Sequence, residues 1–114
     1  MKQYLSPEQT AKLMELGLPK PWRNEFLHIL EEYGYAVEKA RNFSIGELIE
    51  MLPEAICQSN DEDTHYFLSI ETNSLTWKVC YETEDEFVLC TTFGVELVDA
   101  LCSMLTILKR QGTL

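Results

Sequence analysis

The stretch Thr64-His65-Tyr66-Phe67-Leu68-Ser69-Ile70-Glu71-Thr72, then Asn73-Ser74, then Leu75-Thr76-Trp77-Lys78-Val79-Cys80-Tyr81-Glu82, decides the fold. Tyr66, Leu68 and Ile70 alternate with His65, Phe67 and Ser69, and Leu75, Trp77, Val79 and Tyr81 alternate with Thr76, Lys78, Cys80 and Glu82. A period of two predicts two strands, and Asn73-Ser74 suits a two-residue hairpin turn. That turn sets Ile70 opposite Trp77, Leu68 opposite Val79 and Tyr66 opposite Tyr81, gathering the large apolar side chains on one face.

A third strand is expected over about 86–93, after the loop Glu84-Asp85-Glu86. Its bulky residues Phe87, Leu89 and Phe93 share the parity of Trp77 and Tyr81. The register that brings Tyr81 beside Leu89 on the core face also sets Cys80 opposite Cys90 on the other face, as two reduced thiols. Slippage by two residues would keep the face and separate the thiols.

Working outward, the last helix, about 95–111, is the clearest element. Glu96 and Asp99 near its start and Lys109-Arg110 at its end complement the helix dipole. Leu97, Leu101, Met104, Leu105 and Leu108 form its apolar stripe, and Gly112 is placed to cap it. Upstream, Ser44-Ile45-Gly46-Glu47 reads as a capping box opening a short helix that Pro53 ends. Ser6-Pro7-Glu8-Gln9 opens another that runs to about Glu15, and Leu18-Pro19-Lys20-Pro21 is an extended break. Residues 22–33 fit helical spacing through Phe26, Leu27, Ile29, Leu30 and Tyr33, yet they also alternate as a strand would; helix is the preferred reading. The expected architecture is a single α+β domain over 1–114, with N-terminal helices, a three-stranded antiparallel meander (about 64–93) and a long C-terminal helix. One sheet face is left with Phe67, Val88, Cys80 and Cys90 beside Lys78, Glu82 and Ser69. That face is too apolar for water, so the N-terminal helices or a second subunit in a homodimer should cover part of it.

Charge narrows the partners. The 114 residues hold 19 acids and 9 bases, a formal net charge of -10. Residues 1–41 balance six acids with six bases, so the whole excess lies in 42–114. Without a basic patch, direct binding to nucleic acid or anionic membrane is excluded. Asp61, Glu62 and Asp63, and Glu82, Glu84, Asp85 and Glu86, are expected at solvated turns, where they could form a negative surface for a basic protein partner. Trp22, after Pro21, is a candidate aromatic contact. No apolar run has the length of a signal peptide or a membrane span, and none of the four cysteines forms a CxxC pair, so reduced thiols in a cytoplasmic protein are expected.

Motifs for chemistry are sparse. There is no glycine-rich phosphate loop and no serine nucleophile elbow. Asp61, Asp63 and His65 alternate at a strand mouth as metal ligands could, but no second histidine lies nearby, so no metal and no cofactor is expected. A Cys–His pair would require Cys57, Cys80, Cys90 or Cys102 near His28 or His65; packing is the expected role of these thiols.

Phe43-Ser44-Ile45-Gly46-Glu47-Leu48-Ile49-Glu50-Met51-Leu52-Pro53, Trp77-Lys78-Val79-Cys80-Tyr81 and Glu96-Leu97-Val98-Asp99-Ala100-Leu101-Cys102-Ser103-Met104-Leu105 together resemble segments of small acidic uncharacterised proteins of gut-bacterial and prophage genomes. The likeness covers most of residues 5–114. It implies an accessory protein and carries over no catalytic residue. The function expected is that of a non-enzymatic protein-interaction factor. Two alternatives remain: an acidic mimic of nucleic-acid charge that blocks a DNA-binding protein, and a small enzyme or ligand-binding domain with a pocket between sheet and helices.

Overall fold

The computed structural model describes residues 1–18, 42–58 and 61–114, and for Gln58, Asp61 and Glu62 the backbone alone. Trp22, the segment 22–33 and the Pro19-Lys20-Pro21 break lie outside the described residues. Within them the chain forms helices α1 (Pro7–Glu15), α2 (Ile45–Met51) and α3 (Leu97–Arg110) and strands β1 (Ala55–Gln58), β2 (Asp61–Thr72), β3 (Trp77–Glu82) and β4 (Val88–Gly94). The sheet is antiparallel in the order β1-β2-β3-β4. The fold is therefore α+β, with four strands where three were expected.

The helices begin where local chemistry dictates. Ser6 Oγ accepts from the Gln9 amide at 3.2 Å and the Gln9 side chain accepts from the Ser6 amide at 3.0 Å, a closed capping box. Ser44 and Glu47 repeat the device on α2, with bonds of 3.1 and 3.0 Å. Gly17 (φ +91°) and Gly112 (φ +77°) end α1 and α3 in the left-handed region. Their amides bond Met14 and Lys109 carbonyls, and those of Leu18 and Thr113 reach back to Leu13 and Leu108, the Schellman pattern. α3 differs at its start: Glu96 makes no side-chain cap and instead accepts from the Lys2 amide at 2.8 Å.

Seven residues of α3 are buried: Leu97, Val98, Ala100, Leu101, Met104, Leu105 and Leu108. They pack with Leu5, Leu13, Phe43, Leu48 and Leu52 on one side and with Ile56, Val79 and Tyr81 of the sheet on the other. Each large aliphatic among them contributes about 1.5–3 kcal/mol by leaving water. Tyr81 is fully buried, and its hydroxyl donates to the Pro53 carbonyl at 2.6 Å.

Three strand expectations need correction. First, β2 starts at Asp61, so Asp61-Glu62-Asp63 lies in a strand and not in a turn; β1 pairs with β2, Gln58 opposite Asp61 and Ile56 opposite Tyr66. Second, the β2–β3 register is shifted by two residues: Thr72 faces Trp77, Ile70 faces Val79 and Leu68 faces Tyr81. The turn takes four residues because Asn73 Oδ1 accepts from the amides of both Leu75 and Thr76, at 3.1 and 2.9 Å. A two-residue slip preserves the buried face, but it leaves Leu75 in the loop at 78% exposure.

Third, the β3–β4 register holds only at its tip. The loop Glu84-Asp85-Glu86 forms as expected, closed by the Thr83 amide donating to the Phe87 carbonyl at 2.9 Å, and Glu82 faces Val88. A bulge then inserts Leu89, so Tyr81 faces Cys90 and Cys80 faces Thr91. Cys80 and Cys90 consequently lie on opposite faces. Beyond the bulge Cys90, Thr92 and Gly94 turn to α3: Cys90 Sγ lies 3.6 Å from Met104 Sδ, and Thr92 donates to the Ala100 carbonyl at 2.8 Å. Phe93, expected in the core, turns outward.

Candidate functional site

The sheet face away from α3 is where reactive and recognition side chains collect. Alternation on β2 brings Asp63, His65, Phe67, Ser69 and Glu71 to it, β3 adds Lys78, Cys80 and Glu82, and β4 adds Thr91 and Phe93. Three aromatics remain open to water: Phe67 at 46% exposure, Phe87 at 70% and Phe93 at 63%. By parity with Trp77 and Tyr81, Phe87 and Phe93 belong in the core, yet both are exposed. The bulge at Leu89 moves Phe93 to this face, and the tight Thr83–Phe87 loop holds Phe87 at the tip.

At the β3–β4 tip, Asp63, Thr64, His65, Phe67, Thr83, Glu84, Asp85 and Phe87 line an open groove of about 490 Å³. At the other end, Phe93 shares a smaller groove with Glu71 and Lys78, whose charges lie 3.8 Å apart. The face thus runs from a strongly acidic aromatic end to a charge-balanced one. Of the acids read from sequence, Asp63, Glu84 and Asp85 come together in the first groove. Glu82 stands opposite Val88, and Glu86 is exposed in the loop at φ +66°. Asp61 and Glu62 are described as strand backbone only.

Other acids serve the fold itself. Glu47 caps α2. Asp99 accepts from Gln9 Nε2 at 2.8 Å and lies 3.4 Å from Lys2 Nζ. Among the described residues, no group of three or more His, Cys, Asp or Glu side chains is placed to hold a metal ion.

The four cysteines divide sharply. Burial pushes the thiols of Cys80, Cys90 and Cys102 up from their usual value, assisted by Glu82, by the Cys80 thiol and by Asp99 respectively. Those three favour the inert thiol form. Cys57, on β1, is exposed, and its Sγ lies 3.0 Å from His65 Nδ1 on the neighbouring strand. The His65 ring stacks on Phe67, with centroids 6.2 Å apart and planes 28° from parallel. Packing, the role expected of all four thiols from sequence, is therefore corrected for Cys57: it is exposed and beside His65, because β1, which carries it, turns back on β2.

Comparison with protein-family models, with curated proteins and with solved structures found no match. Among the described residues, no helix is long and apolar enough to cross a membrane.

Proposed function

We infer that this chain works by binding another protein, and that the occupant of the outer sheet face is a basic polypeptide segment with apolar anchors. One observation carries the reading: Phe67 and Phe93 stand exposed on the outer face and Phe87 at its tip, where Asp63, Glu84 and Asp85 line the groove. Exposed aromatics are costly in water and are the residues that anchor interfaces. Carboxylates beside them select a cationic partner and speed its approach. The formal charge of -10, concentrated after residue 41, acts in the same sense. The resemblance to small prophage-type proteins fits an accessory role of this kind. A nucleic-acid charge mimic would need carboxylates free over one surface. Glu47, Glu71, Glu96 and Asp99 are engaged within the chain, so that reading is not the one favoured.

The test is affinity capture from the native cell, with mass spectrometry, comparing the wild type with the triple substitution Phe67→Ser, Phe87→Ser and Phe93→Ser. All three positions are exposed, and circular dichroism checks that the variant folds. The expected partner is basic, is retained roughly tenfold less by the triple variant, and is released as salt rises from about 50 to about 500 mM. Capture indifferent to both the three phenylalanines and salt, or an acidic partner, would overturn the reading.

A further inference from the structure

Cys57 and His65 are joined by topology, not by a sequence motif. β1 turns back on β2 with Ile56 opposite Tyr66 and Gln58 opposite Asp61, and the irregularity between Ile56 and Gln58 leaves Cys57 out of the ladder. Its Sγ is then 3.0 Å from His65 Nδ1, within reach of proton transfer. The His65 ring lies against Phe67 on the same face, centroids 6.2 Å apart. Both side chains are exposed, so a small molecule can reach them. The groove that shares His65 is lined by Asp63, Glu84 and Asp85.

We propose that Cys57 is a nucleophilic thiol with His65 as its general base, forming a covalent modification site for uncharged or cationic carbon electrophiles. A nucleophile and a base at hydrogen-bond distance is the pairing by which a weakly nucleophilic thiol is activated. With an alkyl halide, Cys57 Sγ attacks carbon and the S–C bond forms. The carbon–halogen bond breaks and the halide leaves with the electron pair. The thiol proton passes to Nδ1 and then to water. With an α,β-unsaturated carbonyl, sulfur adds at the β-carbon and the enolate formed takes up the proton. Neither step needs an oxidant. Asp63, Glu84 and Asp85 repel anionic electrophiles, which sets the charge preference. This proposal shares Phe67, Asp63, Glu84 and Asp85 with the protein-binding reading, but it needs no partner, and its labelling test stands whether or not a partner is captured.

The probes are iodoacetamide and iodoacetate, applied to the reduced full-length chain at limiting reagent, with labelled sites quantified by peptide mass spectrometry. Cys57 is expected to take the amide about tenfold or more faster than Cys80, Cys90 or Cys102. His65→Gln should slow labelling of Cys57 by about tenfold or more while circular dichroism stays unchanged. Glu84→Gln with Asp85→Asn should raise the iodoacetate rate a few-fold relative to iodoacetamide. If Cys57 reacts no faster in the folded chain than in the urea-unfolded chain, and His65→Gln leaves that rate unaltered, Cys57 is merely exposed and the proposal fails. If the charge variant leaves the ratio of the two reagents unchanged, the charge preference fails.

Discussion

Gly94 shows how much one missing carbon can decide. It ends β4 where α3 begins, and a Cβ there would lie 2.9 Å from the Glu96 carbonyl oxygen and 3.0 Å from the Ala100 amide nitrogen. Both are backbone atoms, so neither can swing aside. Gly94→Ala should lower stability by about 1–3 kcal/mol, read as a fall in the urea midpoint; an unchanged midpoint would mean that the strand–helix junction adjusts freely. The same crowding explains a signal present in the sequence. Cys90, Thr92 and Gly94 are small and alternate, which suits a strand face crossed closely by a helix. Phe87, Leu89 and Phe93 are bulky and alternate on the other parity, and their size suggested the core.

At the scale of elements, what was legible depended on range. Helix starts and stops are written in four or five consecutive residues, and Ser6, Ser44, Gly17 and Gly112 act where the sequence puts them. The alternation of β2 and β3 identified the right buried face even though the pairing slips by two, because parity survives such a slip. The bulge at Leu89 was not legible, since one inserted residue leaves both flanking patterns intact and only the helix beneath decides between them. β1 pairs with β2 and sends one residue, Ile56, into the core, and nothing in Ala55-Ile56-Cys57-Gln58 announces it. The loop before β4 carries a local cost: Glu86 adopts φ +66°, where a side chain is strained. Glu86→Gly should therefore raise stability by about 0.5–1 kcal/mol in urea unfolding, despite the greater freedom glycine gains in the unfolded chain. A loss would show that the Glu86 side chain contributes more than its backbone costs.

At the scale of the whole molecule, the buried weak acids among the described residues act against the fold in alkali. Cys80, Cys90 and Cys102 have an ordinary value of 9.0 and Tyr81 one of 10.0, and desolvation raises all four in the folded state. Above the ordinary value the unfolded chain binds fewer protons than the folded chain, so stability must fall as pH rises. Their contribution is fully present below the unfolded values and is lost progressively from about pH 8 upward. Urea midpoints measured from neutral pH into this range should decline, and a rise would contradict the burial of these groups. The candidate site was only partly legible at this scale. The acids were visible as composition, but their meeting with Phe67 and Phe87 needed the sheet, and the Cys57–His65 contact needed β1. The order β1-β2-β3-β4 has a kinetic side as well. Each strand lies beside its predecessor in the chain, so the sheet can zip together through short loops whose closure entropy is small. The bonds of Lys2 and Gln9 to Glu96 and Asp99 span almost the whole chain. Closing that largest loop is entropically cheap only once the sheet has brought its ends near, which favours a late docking of the N-terminal segment onto α3.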